Sequence, residues 1–413
     1  NSTAENLVVG TYGVKGSSQV GGFAGYLYDS TVTGSTSNTN VVGLGSENGG
    51  FIGRMDYGSV NTSGSFGTVT GLSYTGGFVG NMTNSATITT SFANSNVTAT
   101  GNYAGGFVGY FNTYNNITNS RAAGSVTGTA YVGGFVGLMT YSGGISASYA
   151  TGKVNASGDG AGGFLGFSND TVYTRTVQDF YATGSVTGTT NVGGLVGYAA
   201  RATFNYGYST GMVTSTTNAA SVGASFGGVG TGSTTVNGPP QVTTYWVIRN
   251  NLYYDSTTTG MSTDAAGVGG TGPATGLATD ALLGALPHAN WSASTWGTGV
   301  GLYPYLKAIY GSSAPQAISG FAYLADGTSK AVGAQVGIYG NGYLLNGGTV
   351  TTGANGYFYE LIANTAGGAL FTDAKLVINS STKLAQTLRL NGSNTVVGMA
   401  YSDTQVLTGS NLV

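Results

Sequence analysis

The feature that most constrains this chain is a short glycine motif that returns at a nearly fixed interval. "AYVGGFVGLM" (Ala130 to Met139) places three glycines around Phe135 and Val136 within five residues. Taking the first glycine of each pair, copies stand at Gly21, Gly49, Gly76, Gly105, Gly133, Gly162 and Gly193, with a degraded copy at Gly223. The steps between them are 28, 27, 29, 28, 29, 31 and 30 residues. Disordered linkers keep no such period. Glycine costs conformational entropy on folding, so the run marks a place where the backbone takes a positive φ or packs tightly.

Other columns keep step with the glycines. Val69, Val97, Val126, Val154, Val186 and Val213 form one, and nine residues before each stands Val60, Ile88, Ile117, Ile145, Val177 or Phe204. Usually nine or ten residues after each valine come Phe78, Phe107, Phe135, Phe164, Leu195 and Phe226. Small residues hold a further column at Ser65, Ala93, Ala122, Ala150, Ala182 and Ser209, as expected where a coil is narrow. Short β-branched stretches such as "GSVTG" (Gly124 to Gly128) between glycines and asparagines read as strands with tight turns, with no sustained helical period nearby. Three short strands per turn at constant length predict a parallel β-helix of about 28 residues per coil, with identical side chains stacked on themselves. Neighbours in a strand face opposite ways, so either the Phe135 or the Val136 column points inward, unless the bend turns both in.

Composition fits this reading and removes others. Only 6% of the 413 residues are charged and 40% are hydrophobic, which excludes charged disorder and leaves ample material for a core. A net charge of -2 gives no basic stripe, so nucleic acid is not an expected partner. No apolar run reaches the length of a bilayer span, and no basic signal region opens the sequence, which therefore reads as a mature protein or a fragment. There is no cysteine. Export in an unfolded state through a narrow pore would disfavour disulfides; compositional drift in a low-charge repeat explains the absence equally.

"GGFVG" (Gly133 to Gly137) and "GGLVG" (Gly193 to Gly197), each after a strand such as "ATGSVTG" (Ala182 to Gly188), resemble the GLUG repeats of large bacterial surface proteins, notably filamentous-haemagglutinin-like adhesins of the two-partner secretion type. The resemblance covers roughly residues 10–230 and continues into "NLYYDSTTTGMSTDAAGVGGTGPATGLATDALLGAL" (Asn251 to Leu286) and the stretch ending at Leu306. There Tyr254, Asp255, Gly270, Thr271, Gly272, Trp291, Trp296, Tyr303 and Pro304 occupy the places of the segment that closes such arrays. The resemblance implies export through an outer-membrane secretion partner and display as an extracellular β-solenoid fibre. The secretion domain expected upstream and a C-terminal anchor are not seen.

From about Ala317 the pattern changes to alternating apolar residues with hairpin turn signals at Asp326, Asn341 and Asn355. This predicts a small antiparallel domain, weakly similar to the carboxypeptidase-regulatory or prealbumin-like sandwiches that space surface proteins. The expected organisation is an all-β chain: a solenoid over 1–235, a closing segment over 236–312 and a β-sandwich-like domain over 313–413.

Catalytic patterns in the chain have simpler explanations. "GASFG" (Gly223 to Gly227) fits a nucleophile elbow around Ser225, with Asp255, Asp264 or Asp280 and then His288 in the right chain order. An elbow needs a strand-to-helix turn, whereas this stretch keeps step with the eighth repeat. "GVGGTG" (Gly267 to Gly272) matches a dinucleotide fingerprint, but no acidic residue lies between Asp280 and Asp326 to hold a ribose. His288, the only histidine, has no cysteine to help it bind zinc and reads as a solvated loop residue.

The enzymatic rival is a β-helix glycan lyase or hydrolase, which needs clustered acids. Beyond Glu5 the repeats hold Asp29, Glu47, Asp56, Asp159, Asp170 and Asp179. Asp29 and Asp56 fall at similar places in adjacent coils beside Arg54, where a surface ion pair competes with an acid pair or calcium site; Asp159 reads as a turn residue. Asn-x-Ser/Thr sites such as Asn61, Asn96 and Asn116 arise by composition. Tyr149, Tyr181 and Tyr208, in one column with Phe92, are the expected outward contact stripe, with ladder stability as the other explanation.

The expectation is a non-enzymatic extracellular adhesin or surface-fibre segment with no cofactor, catalytic residue or metal site. Its receptor, a surface or a glycan, is unnamed by the sequence. A head-to-tail filament of the same chain is the structural alternative, because the N-terminal coil is expected to be completed either by upstream chain or by another copy.

Overall fold

In a computed structural model of the chain, residues 2–400 are described, apart from 142, 170–174, 218–220, 230–231, 235–242, 246, 265–272, 312–313, 325, 327, 341–342, 363–372, 381–382 and 391–394. The glycine period builds a parallel β-solenoid. One coil runs through the strands Ile52–Asp56, Ser59–Asn61, Gly64–Ser65, Thr68–Gly71 and Thr75–Gly76 before the next begins at Val79. Five short strand segments on four sheets thus replace the three strands expected per turn. The difference arises because single residues with positive φ break the faces: Thr62 (φ 48°) bends one strand path into two, as do Thr90 and Asn119 in the following coils, whereas Ala147 and Asp179 keep the positive φ within one longer strand.

Register is kept by identity. Val14, Val41, Val69, Val97, Val126, Val154, Val186 and Val213 are successive partners in one sheet. At a strand spacing of ~4.8 Å that sheet is roughly 34 Å tall. These valines form a core of their own with Ala104, Val132, Ala161 and Val192. A second, larger core holds the Phe51, Phe78, Phe107, Phe135 and Phe164 ladder with Ile88, Ile117, Ile145 and Met82. The rings stack at 4.7–4.9 Å with interplanar angles of 2–11°. Between the cores the coil is pinched: a Cβ on Gly77 would lie 2.1 Å from the Gly106 carbonyl oxygen and 3.3 Å from the Ala93 Cβ. The column of small residues is therefore the waist of the cross-section.

The same contacts answer what the glycines do. A Cβ on Gly76 would lie 2.0 Å from the Val79 carbonyl oxygen and 2.8 Å from the Gly109 nitrogen. Close backbone approach, not a positive φ, requires glycine there. The left-handed residue of each bend is the one two positions earlier, such as Tyr74 (φ 49°), Tyr103 (φ 66°) and Tyr131 (φ 56°). After the glycines, the N–H groups of Phe135 and Val136 both donate to the Phe164 carbonyl at 2.9 Å. The register is the same on both sides, Gly133 with Gly162 and Val136 with Leu165, so the shared carbonyl marks a corner at which the chain passes from one sheet to the next and the alternation of faces is broken. Phe135 and Val136 are accordingly both buried.

A buried serine ladder, not anticipated from the sequence, satisfies the backbone at the other bend. The N–H groups of Ser35, Ser63, Ser91 and Ser120 each donate to the next coil's Ser63, Ser91, Ser120 or Ser148 Oγ at 3.2 Å. The hydroxyls donate in turn to the carbonyl two residues back in their own coil.

The parallel stack does not stop at residue 235. Val247–Asp255 pairs in register with Ala202–Ser209, and Thr275–Leu277 pairs with it in turn. Ala202 and Val247 are 45 residues apart, so this last coil breaks the period and hides from a repeat search. Two four-residue helices follow, Thr279–Leu282 and Lys307–Tyr310.

In the C-terminal region, Gln335–Gly340, Tyr343–Thr351, Asp373–Ser380 and Lys383–Leu390 form an antiparallel sheet. A second sheet pairs Gln316–Ala322 antiparallel with Tyr357–Ile362 and parallel with Thr395–Ala400. The Asp326 carboxylate accepts the N–H groups of Thr328 and Ser329 in a turn, whereas Asn341 lies outside the described residues. Asn355 accepts the Tyr357 N–H, but its turn carries the chain from one sheet to the other and closes no hairpin.

Candidate functional site

The side chains that leave the solenoid form two aromatic columns, one sealed and one half-open. In the first, Phe92, Arg121, Tyr149, Tyr181, Tyr208 and Tyr253 are successive partners in the long sheet. Tyr149, Tyr181 and Tyr208 stack at 4.6 and 5.0 Å. They point away from the solenoid core yet are only 5%, 1% and 0% exposed, which corrects their expected role as an open contact stripe. The closing segment covers them: Trp291, Trp296, Tyr303 and Tyr310 fold back over the column and form a third core with it.

Five polar tips in this clip have partners within it. The Tyr208 hydroxyl donates to the Pro304 carbonyl at 2.8 Å, and that of Tyr310 to the Tyr149 oxygen at 3.0 Å. Trp296 Nε1 donates to Asp179 Oδ1 at 2.8 Å, and Trp291 Nε1 to the Asn251 carbonyl at 3.2 Å. The Tyr303 hydroxyl donates to Asp255 Oδ2 at 2.6 Å. Burial pushes the phenols of Tyr181, Tyr208, Tyr303 and Tyr310 well above their ordinary range. Burial also raises the Asp179 carboxyl, against the lowering effect of the Trp296 N–H.

The end of the stack is closed by a different part of the same segment. Asp264 Oδ1 accepts the N–H groups of Ser225 and Phe226 at 2.9 and 2.8 Å, and its other oxygen accepts Ala274 N–H at 3.0 Å and Arg249 Nη1 at 3.2 Å. Burial raises this carboxyl and lowers the guanidinium facing it. One carboxylate thereby occupies N–H groups that a further coil would have paired. The tryptophans lie on the flank because the stacked tyrosines offer apolar area there and carbonyl and carboxylate acceptors beside it.

The second column stands at the left-handed position before the glycine bend. Tyr74, Tyr103 and Tyr131 stack at 5.3 and 5.4 Å, with Tyr110 against Tyr74 at 4.9 Å and Phe167 against Tyr131 at 4.7 Å. All are half-buried. Their signal in the sequence is the tyrosine of "SYTGG", "NYAGG" and "AYVGG", two positions before the first glycine of the pair.

Two of the acidic residues, Glu47 and Asp56, share one arginine. Arg54 pairs with Asp56 at 3.1 Å and with Glu47 at 3.5 Å, while Tyr26 donates to Asp56 at 2.8 Å. The hydrogen bond to Asp56 raises the Arg54 guanidinium. Asp29 meets Asp56 through its backbone N–H, bonded to the Asp56 carbonyl at 2.9 Å. Asp159 accepts Thr190 Oγ1 and Asn191 Nδ2, both at 2.7 Å, and Asp170 lies outside the described residues. Among the described residues no group of three or more His, Asp or Glu side chains is placed to hold a metal ion.

Ser225 sits in the bend just after Val222–Gly223, which pairs with Val192–Gly193, and not in a strand-to-helix turn, and 267–272 lies outside the described residues. His288 is exposed in a loop, its Nδ1 accepting the Asn290 N–H at 3.0 Å. A cleft of about 370 Å³ lies between the closing segment and the C-terminal sheets, with Phe321, Leu283 and Tyr357 as its apolar lining and Thr279, Asp280 and Asn355 as polar groups. No helix among the described residues is long and apolar enough to cross a membrane.

Comparisons of the chain with protein-family models, with curated proteins and with solved structures each returned no match.

Proposed function

We propose that this chain is a rigid segment of an extracellular, adhesin-like surface fibre, non-enzymatic, and related in kind to the GLUG-repeat proteins it resembles. The observation that carries the reading is the unbroken register of its valine sheet over eight rungs, closed by a segment that folds back over its own flank. A solenoid of this kind gains stability from nearest-neighbour contacts between coils, so length is added without redesigning the core. Its lateral surface is then free to vary. Folding the closing segment back across the coils that carry Tyr149, Tyr181 and Tyr208 spreads a pull on that segment over several rungs instead of the last one.

Beads coated with the purified chain are expected to be retained on cell or glycan surfaces above the level of albumin-coated beads. The soluble chain is expected to release no reducing ends or unsaturated products from acidic or neutral glycans, with or without calcium. Retention no greater than albumin removes the adhesin part of the reading. Glycan turnover abolished by Asp29→Asn or Asp56→Asn replaces it with the enzyme.

A further inference from the structure

We infer that the Tyr74, Tyr103 and Tyr131 column is a site of oxidative tyrosine cross-linking, at which a peroxide acting through a haem peroxidase welds successive coils together. The step balances. Each of two phenols loses one hydrogen atom, the two ring carbons ortho to the oxygens join in a single C–C bond, and the hydrogens displaced from those carbons move to the oxygens. One hydrogen peroxide takes up the two hydrogen atoms and leaves as two waters.

Coupling between phenoxyl radicals needs neighbouring rings held together, reachable by the oxidant, and not sealed from it. The second aromatic column meets each condition. Tyr103 lies between Tyr74 and Tyr131, 5.3 and 5.4 Å away with interplanar angles of 8° and 10°. These residues are half-buried, neither sealed nor fully open. Register fixes the neighbours: Thr75 and Ala104, then Ala104 and Val132, are backbone partners immediately after the tyrosines. The ladder is bounded, since Glu47 takes the equivalent place before it and Gly160 after it. Phe167, stacked on Tyr131, has no phenol to oxidise.

The molecule contains its own controls. Tyr149, Tyr181 and Tyr208 stack as closely but are sealed under the tryptophans. Tyr28 and Tyr57 are about half exposed but meet edge-on at 5.8 Å with an interplanar angle of 77°. In a chain without cysteine, such bonds join coils as disulfides do elsewhere, closing loops that the unfolded state must carry.

The test is treatment of the folded full chain with hydrogen peroxide and peroxidase, followed by dityrosine fluorescence and mass mapping of cross-linked peptides. Expected are monomers lighter by two hydrogens per bond, with cross-links concentrated at Tyr74–Tyr103, Tyr103–Tyr131 and Tyr74–Tyr110, and none joining Tyr149, Tyr181 and Tyr208. Tyr103→Phe, which keeps the stacked ring, is expected to melt like the parent before oxidation. It should lose both Tyr103 cross-links and several-fold of the fluorescence yield. The oxidised parent should show a higher denaturation midpoint than oxidised Tyr103→Phe. Cross-links distributed by exposure alone over Tyr12, Tyr28 and Tyr57, or a yield unchanged in Tyr103→Phe, would overturn the assignment, as would the absence of any dityrosine.

Discussion

The central coils, Gly49 to Thr140, and the later ones, Gly143 to Asp255, share one fold but are held by different means. In the central coils each residue meets its counterpart one coil away: Phe on Phe, Val on Val, Ser on Ser. In the later coils the valines continue to Val213, but the phenylalanine and serine ladders lapse. Phe164 is followed by Leu195, and Ser148 by Phe180 and then Gly207. There the closing segment takes over with contacts such as Tyr208 to Pro304 and Tyr149 to Tyr310, which are 96 and 161 residues apart. Periodic packing and a non-periodic clip are therefore two routes to one end, and the chain changes from one to the other within a single sheet.

The strongest way to break this comparison is to charge the periodic core. Val126→Asp, between Val97 and Val154 and fully buried, should cost about 5 kcal/mol or more, because no partner for the carboxylate lies in that core. Denaturant unfolding checks it; a parent-like midpoint means the valine ladder is not what holds the central coils. Removing the clip comes next. Trp296→Ala should cost about 3–5 kcal/mol, and hydrogen exchange should rise in the Gly143–Ala150, Thr176–Ala182 and Ala202–Ser209 strands while the central strands stay protected. Uniform loss of protection would mean the two regions unfold as one unit.

Smaller effects sharpen the contrast. Ser91→Ala leaves the buried Ser63 N–H without its acceptor and should cost about 1–3 kcal/mol in the central coils alone. The last test is of pH. Burial holds the Asp179 carboxyl above its ordinary value, so its contribution to folding is full below that ordinary value and is lost as pH rises through the folded value. Asp179→Asn keeps an oxygen for Trp296 Nε1 and removes the titration. It should match the parent in acid and gain on it as pH rises, by under about 1 kcal/mol for a group not fully buried. An advantage that instead shrinks with rising pH would contradict the buried-carboxylate account of the clip.

Most of what repeats could be read from the chain alone. The period of the glycines, the valine and phenylalanine columns and the small residues at the waist were legible because every coil offers the next the same surroundings, so the same residue solves the same problem each time. The serine ladder was equally periodic, at Ser35, Ser63, Ser91, Ser120 and Ser148, but its signal was lost in a chain rich in hydroxyl residues. Only the tertiary structure decided that Phe135 and Val136 both turn inward, since that depends on two N–H groups sharing one carbonyl. It alone decided that Tyr149, Tyr181 and Tyr208 lie under tryptophans, that the 45-residue step to Val247 still closes a coil, and that Asp264 covers the last edge. Those features have no period. They depend on where a distant segment lands, and that is fixed by packing and hydrogen bonding between residues whose separation no repeat records.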